Sequence, residues 1–200
     1  MLASDIKKEK IILIPYSRFE LHSDVAIETI ASINDVNPND VYGLYASTLQ
    51  NAFWNLKNDS IMFITLSEED FSTFSKRVFY EYQKQKPPHY AVDLSRVDNT
   101  YFNSILTKYD AAEFVFINMY QIKKAKKSAP VAGKKTSYKY SNHIIHFDVI
   151  GKDRKQIYGE GNLYINLENP DVLDIKTMHL KKETLLKAYT KLAIYIVGKL

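Results

Sequence analysis

The chain has 200 residues, 46% hydrophobic and 25% charged, with 27 basic and 23 acidic side chains and a net charge of +4. That length supports a core burying roughly 70% of the unfolded surface, and the composition excludes a disordered or collagen-like chain. The absence of cysteine excludes disulfides, thiolate metal sites, iron–sulfur clusters and cysteine nucleophiles, and no run reaches the ~18–20 apolar residues of a membrane helix.

Residues 1–10 are charged where the apolar part of a signal peptide would lie, so they predict a flexible tail. The compartment expected is the cytoplasm, or the periplasm or outer membrane if an export signal with a lipid-bearing cysteine came before Met1. Ile11-Ile12-Leu13-Ile14-Pro15-Tyr16 reads as a buried strand leaving at a proline. Residues 18–36 read as an irregular insert. Asn37-Pro38-Asn39-Asp40 is a helix-start cluster, and Val41, Leu44, Tyr45, Thr48, Leu49, Ala52, Phe53 and Leu56 then recur at helical spacing. Ser60 to Leu66 is a second buried strand.

Ser67 and the acids Glu68, Glu69 and Asp70 open a second helix, with Ser67 as its cap. Phe71, Phe74, Val78 and Tyr82 form its stripe, and Pro87-Pro88 stops it. Residues 87–98 read as a second irregular insert, and Asn99 to Tyr109 as a third helix. Glu113 to Ile122 is a central strand, with Phe114, Phe116, Tyr120 and Ile122 on one face and Val115, Ile117 and Met119 on the other.

Thr136 to Ile150 and Lys155 to Asn166 form a long antiparallel hairpin about the turn Gly151-Lys152-Asp153-Arg154. A last helix begins near Lys181, with Leu185, Tyr189, Leu192, Ala193 and Ile196 as its stripe, Ile194 and Val197 widening it, and Gly198 at its end. The order β-α-β-α-α-β-β-β-α predicts one α/β (α+β) domain over residues 1–200, a single mixed sheet with helices packed on it.

The charge is local. No acid lies between Glu113 and Asp148, and that stretch holds Lys123, Lys124, Lys126, Lys127, Lys134, Lys135 and Lys139. Without these seven the balance is 20 basic against 23 acidic, or −3. With Pro130 and Gly133 in it, the segment from Lys123 to Lys135 reads as a mobile basic loop. Its candidate binding residues are Lys123, Lys124, Lys126, Lys127, Lys134 and Lys135, suited to phosphate, nucleic acid or anionic lipid. The plainer alternative is a solvated loop.

Local catalytic motifs are missing. There is no phosphate loop or dinucleotide fingerprint, so no cofactor is expected, and Gly159-Glu160-Gly161 reads as a bulge or a close backbone approach. His143 and His146 are three apart in a strand and fall on opposite faces, so no metal site is expected from them. His146 and Asp148 share a face, which suits a structural hydrogen bond. No Gly-x-Ser-x-Gly elbow occurs. Tyr138 and Tyr140 beside the lysines could stack bases, but no RNP-like motif accompanies them.

The element order resembles the αβ domain at the N-terminus of TolB, also found in the curli-secretion lipoprotein CsgG and in lipoprotein activators of penicillin-binding proteins. The matching segments are the strand Ile11–Tyr16, the helix Val41–Asn55, the strand Ser60–Leu66, the entry Tyr109-Asp110-Ala111-Ala112-Glu113, the hairpin Thr136–Asn166 and the helix Lys181–Gly198. The two inserts and the missing lipid-bearing cysteine depart from that pattern. The resemblance implies a non-catalytic interaction or assembly module of a bacterial envelope, with a protein partner or a second copy, and it supplies no catalytic residues. The alternatives are an enzyme or small-ligand protein with a site assembled in three dimensions, or an anionic-lipid or nucleic-acid binder acting through the lysines.

Overall fold

The computed structural model describes residues 8–84, 88–131, 134–161, 177 and 179–200. Among them the strands are β1 Glu9–Ile14, β2 Leu21–Ser23, β3 Ile61–Ile64, β4 Phe79–Gln83, β5 His89–Asp93, β6 Ala111–Val131, β7 Lys134–Ile150 and β8 Gln156–Gly161. The helices are α1 Ile27–Asn34, α2 Val41–Trp54, α3 Glu68–Ser75, α4 Asn99–Tyr109 and α5 Lys182–Val197. The fold is α+β.

The main sheet runs β3-β1-β6-β7-β8, and β2 joins β6 further along the edge it shares with β1. β1 is parallel to β3 and β6, β2 is parallel to β6, and β6-β7-β8 is an antiparallel meander. The alternating β1 side chains divide between two cores. Ile11 and Leu13 join α1, α2 and α5 on one face, whereas Ile12 and Ile14 join α3 and α4 on the other. Covering both faces is what a continuous apolar run such as Ile11–Ile14 requires.

Several helix boundaries follow from local chemistry. Ser67 caps α3 by accepting from the Asp70 amide at 3.2 Å, and Asp98 caps α4 by accepting from the Tyr101 amide at 2.7 Å. The α5 stripe Leu185, Tyr189, Leu192, Ala193 and Ile196 is buried, although Ile194 lies outside it at 56% exposure.

Five expectations need correction. The helix opened by Ser67 ends at Ser75, and Phe79–Gln83 is a strand, because aromatic residues there pair antiparallel with His89–Asp93. That pair forms a second, two-stranded sheet beside the main one, so His89–Asp93 within the expected insert is regular while residues 94–98 are turn. Residues 18–36 hold a 3-10 turn, β2 and α1. Glu9 and Lys10 belong to β1 rather than to a tail, while residues 1–7 lie outside the described residues. Finally, Lys123–Val131 continues β6 and pairs with Lys134–Asn142, so the basic segment is an ordered arm instead of a loop. The expected strand end at Asn162–Asn166 lies outside the described residues.

A β-bulge at Asn118 explains a further difference. Ile117 pairs with Phe147 and Met119 with His146, which leaves Asn118 as the extra residue. The extra residue inverts the alternation. Phe114 and Phe116 face the α3–α4 core, whereas Tyr120 and Ile122 join Val115 and Ile117 in the α1–α2–α5 core.

Candidate binding site

Beyond Ile122, where β2 ends its pairing, β6 and β7 continue together for nine register pairs, from Lys123–Asn142 to Val131–Lys134. At about 3.3 Å per residue this arm is about 30 Å long. Lys126 lies directly across from Lys139, with Lys124 across from Ser141. Lys124, Lys126 and Lys139 are exposed and line one cleft of about 440 Å³, together with Ala125 and with Val25, Ala26 and Thr29 at the start of α1. The nearest acid contact is Asp24, whose carboxylate accepts from the Lys124 amide at 3.4 Å.

The predicted lysines therefore separate. Lys124 and Lys126 converge on the cleft, and Lys123 is exposed but does not line it. Lys123 instead contributes to lowering the His146 pKa, as expected for a neighbour on the opposite face. Lys127, Lys134 and Lys135 are on the arm by backbone register, and their side chains lie outside the described residues. Lys139 completes the group. Its charge was visible in the sequence, but its position opposite Lys126 depends on the hairpin register. The floor from Val25 to Thr29 was hidden in a stretch that reads as irregular.

On the sheet face toward the small hairpin lies a buried polar cluster around Asp148. One carboxylate oxygen accepts from Val92 N and Asn118 Nδ2, both at 2.7 Å. The other accepts from Gln156 Nε2 at 2.7 Å and faces His89 Nε2 at 3.1 Å. Asn118 also donates to the Tyr90 carbonyl at 2.6 Å, and His146 Nδ1 accepts from the Tyr90 amide at 3.1 Å. These bonds fasten β5 to the sheet. Gly159 and Gly161 make the approach possible: a Cβ at Gly159 would lie 2.2 Å from an Asp148 oxygen, and one at Gly161 would lie 2.1 Å from His146 Nδ1. The close-approach reading of these glycines holds. The partner of Asp148 differs from expectation, being His89 rather than His146.

His146 is held as neutral imidazole. Burial, helped by the His89 and Lys123 charges, pushes its pKa down to about 4. On the other face Tyr189 donates to Tyr120 at 2.6 Å, and the Tyr120 hydroxyl meets His143 Nδ1 at 2.6 Å. Burial pushes the His143 pKa down to about 3 and raises the Tyr120 and Tyr189 phenols well above their ordinary value. All three side chains are fully buried, so a substrate cannot reach them.

A larger depression of about 610 Å³ lies where β1 and β6 begin, beside the end of α4. Lys8, Lys10 and Lys152 share it with Glu9 and Asp110, and Lys10 pairs with Asp110 at 3.6 Å. Its charges are mixed, so it selects no ligand charge. Among the described residues no group of three metal-ligating side chains gathers, and no helix is long and apolar enough to cross a membrane.

No known protein-family description and no curated protein matches the chain. Among solved structures, one described as a "putative neuraminyllactose-binding hemagglutinin homolog from Helicobacter pylori" is similar over 100% of this chain and 88% of that one, with a TM-score of 0.41 and 9% identity. A likeness of that size speaks neither to ligand nor to activity.

Proposed function

We propose that the chain is a non-enzymatic protein-binding module whose recognition element is the β6–β7 arm. The observation that carries this reading is the convergence of Lys124, Lys126 and Lys139 on one cleft, with Lys126 and Lys139 opposed across the ladder. Like charges directly opposite each other destabilise a strand pair. An acidic partner would relieve that repulsion and gain long-range attraction. By contrast, the groups best suited to chemistry are engaged inside the fold. Asp148 is held by Val92, Asn118, Gln156 and His89, and the Tyr120–Tyr189–His143 chain is closed to solvent. The proposed setting is a bacterial cell envelope, as the resemblance of the sequence to TolB-type domains implies.

Site-specific photo-crosslinking tests this. A photoreactive residue is placed at Lys126, and a control at the exposed Lys191 of α5, in cells that produce the protein. The expected result is a discrete protein adduct from position 126 and none from position 191. Equal labelling from both positions, or adducts with nucleic acid or lipid alone, would overturn the proposal.

A further inference from the structure

We infer that the outer edge of β6 at Lys124–Lys126 accepts an acidic peptide segment as an added β-strand. This rests on the arm being a protein-binding element and names the form its partner takes. Three features meet there: a sheet edge with no strand beside it among the described residues, a cleft, and three lysines lining that cleft.

The edge follows from the pairing. Asp24 N donates to the Ile122 carbonyl at 2.8 Å, so Ile122 presents its backbone outward, away from β7. Two residues on, the Lys124 amide also points outward, toward the Asp24 carboxylate. Alternation then turns the Lys126 N–H and C=O to the same side. Among the described residues, pairing on this side ends at Ser23–Ile122. With the Lys124 amide taken by Asp24, the Lys124 carbonyl and the Lys126 N–H and C=O form the template for another strand.

The cleft supplies the room. Its volume of about 440 Å³ falls within the ~300–1,000 Å³ range of ligand pockets, and Val25 and Ala26 give it an apolar part. The lysines supply selection. Alternate side chains of an added strand lie over the face that carries Lys124, Lys126 and Lys139, so acids at every second position would neighbour Lys124 and Lys126, with Lys139 one strand further in. Carboxylates there would find no competing acid from the arm itself, since none occurs between Glu113 and Asp148. The Asp24 carboxylate takes the Lys124 amide, so an added strand would pair from the Lys124 carbonyl onward.

Lysines on an edge can also serve only to repel other strands, and the test separates the two roles. The probe is a fluorescent peptide of about six residues alternating glutamate and valine, titrated against the full chain at low salt. Its twin carries N-methyl groups at alternate residues, which keeps the charge and removes the pairing donors. Strand addition predicts that the twin binds at least about tenfold more weakly, a loss of about 1.4 kcal/mol. It also predicts that the Lys126 amide becomes protected from hydrogen exchange in the complex. The variant K124Q/K126Q/K139Q should weaken binding about tenfold or more, while melting no lower than the parent.

Equal binding of the two peptides, or an unprotected Lys126 amide, would overturn strand addition and leave charge attraction alone. Stronger retention of anionic vesicles or single-stranded RNA than of the peptide would overturn the choice of an acidic peptide. If the peptide fails while crosslinking from Lys126 still captures a protein, the strand-addition inference falls and the binding-module reading stands. If neither yields a protein contact, both fall.

Discussion

Replacing Asp148 by alanine removes the acceptor on which four donors converge: Val92 N, Asn118 Nδ2, Gln156 Nε2 and His89 Nε2. The donors would fare differently. Gln156 is exposed and can turn to water, and Asn118 keeps its bond to the Tyr90 carbonyl. The Val92 amide and the buried His89 ring lose their bonds to Asp148. A buried donor that loses its partner costs about 1–3 kcal/mol. With the Val92 amide and the His89 ring both affected, the expected loss is about 2–4 kcal/mol, a large share of the ~5–15 kcal/mol that holds a domain folded.

The loss should begin locally. β4–β5 is its own two-stranded sheet, and such a hairpin is marginal once detached. Hydrogen exchange at the Tyr90 and Val92 amides, followed alongside urea denaturation, resolves the two scales. D148A should expose those amides while the β1 amides of Ile12 and Leu13 stay protected longer. D148N keeps the shape and one acceptor oxygen, and should cost less. A D148A midpoint within the error of wild type, with Val92 still protected, would show that the network does not hold the hairpin.

Leu49 sits in the middle of the buried stripe of α2, so L49A should cost about 2–5 kcal/mol in a denaturant titration; an unchanged midpoint would mean that another face is buried. G161A places a Cβ 2.5 Å from the His89 Cβ and should destabilise by about 1–3 kcal/mol by overpacking, read as a lower melting temperature. His143 and His146 have folded pKa values of about 3 and about 4, below the unfolded 6.5. Their contribution is complete above pH 6.5 and is lost as pH falls through the folded values, giving an acid loss of order a few kcal/mol. Urea midpoints from pH 7 to pH 3.5 should fall, and a flat profile would refute this. Neutralising Lys123, Lys124, Lys126 and Lys127 together should change stability by less than about 1 kcal/mol while removing salt-sensitive binding to anions; salt-insensitive binding that survives would eliminate the electrostatic account.

Much of the fold was legible because local rules set it. The β1 run Ile11–Ile14, the cap Ser67, and the stripes of α2 and α5 each declare their element within a dozen residues. The low acid content around the lysines was equally plain, and so were the close-approach glycines of β8. What tertiary structure decided were the matters of pairing. Phe79–Gln83 continues a helical spacing yet becomes a strand because His89–Asp93 lies alongside it. Leu21–Ser23 is too short to announce itself and is a strand only because β6 offers an edge. One extra residue at Asn118 reverses which faces are buried beyond it, since a strand's side chains alternate and a single insertion shifts their phase. The same holds for the candidate site. The lysines belong to the sequence, but the opposition of Lys126 and Lys139, their shared cleft with Val25 and Ala26, and the open edge beside them exist only through hairpin register, a long-range property that no local pattern encodes.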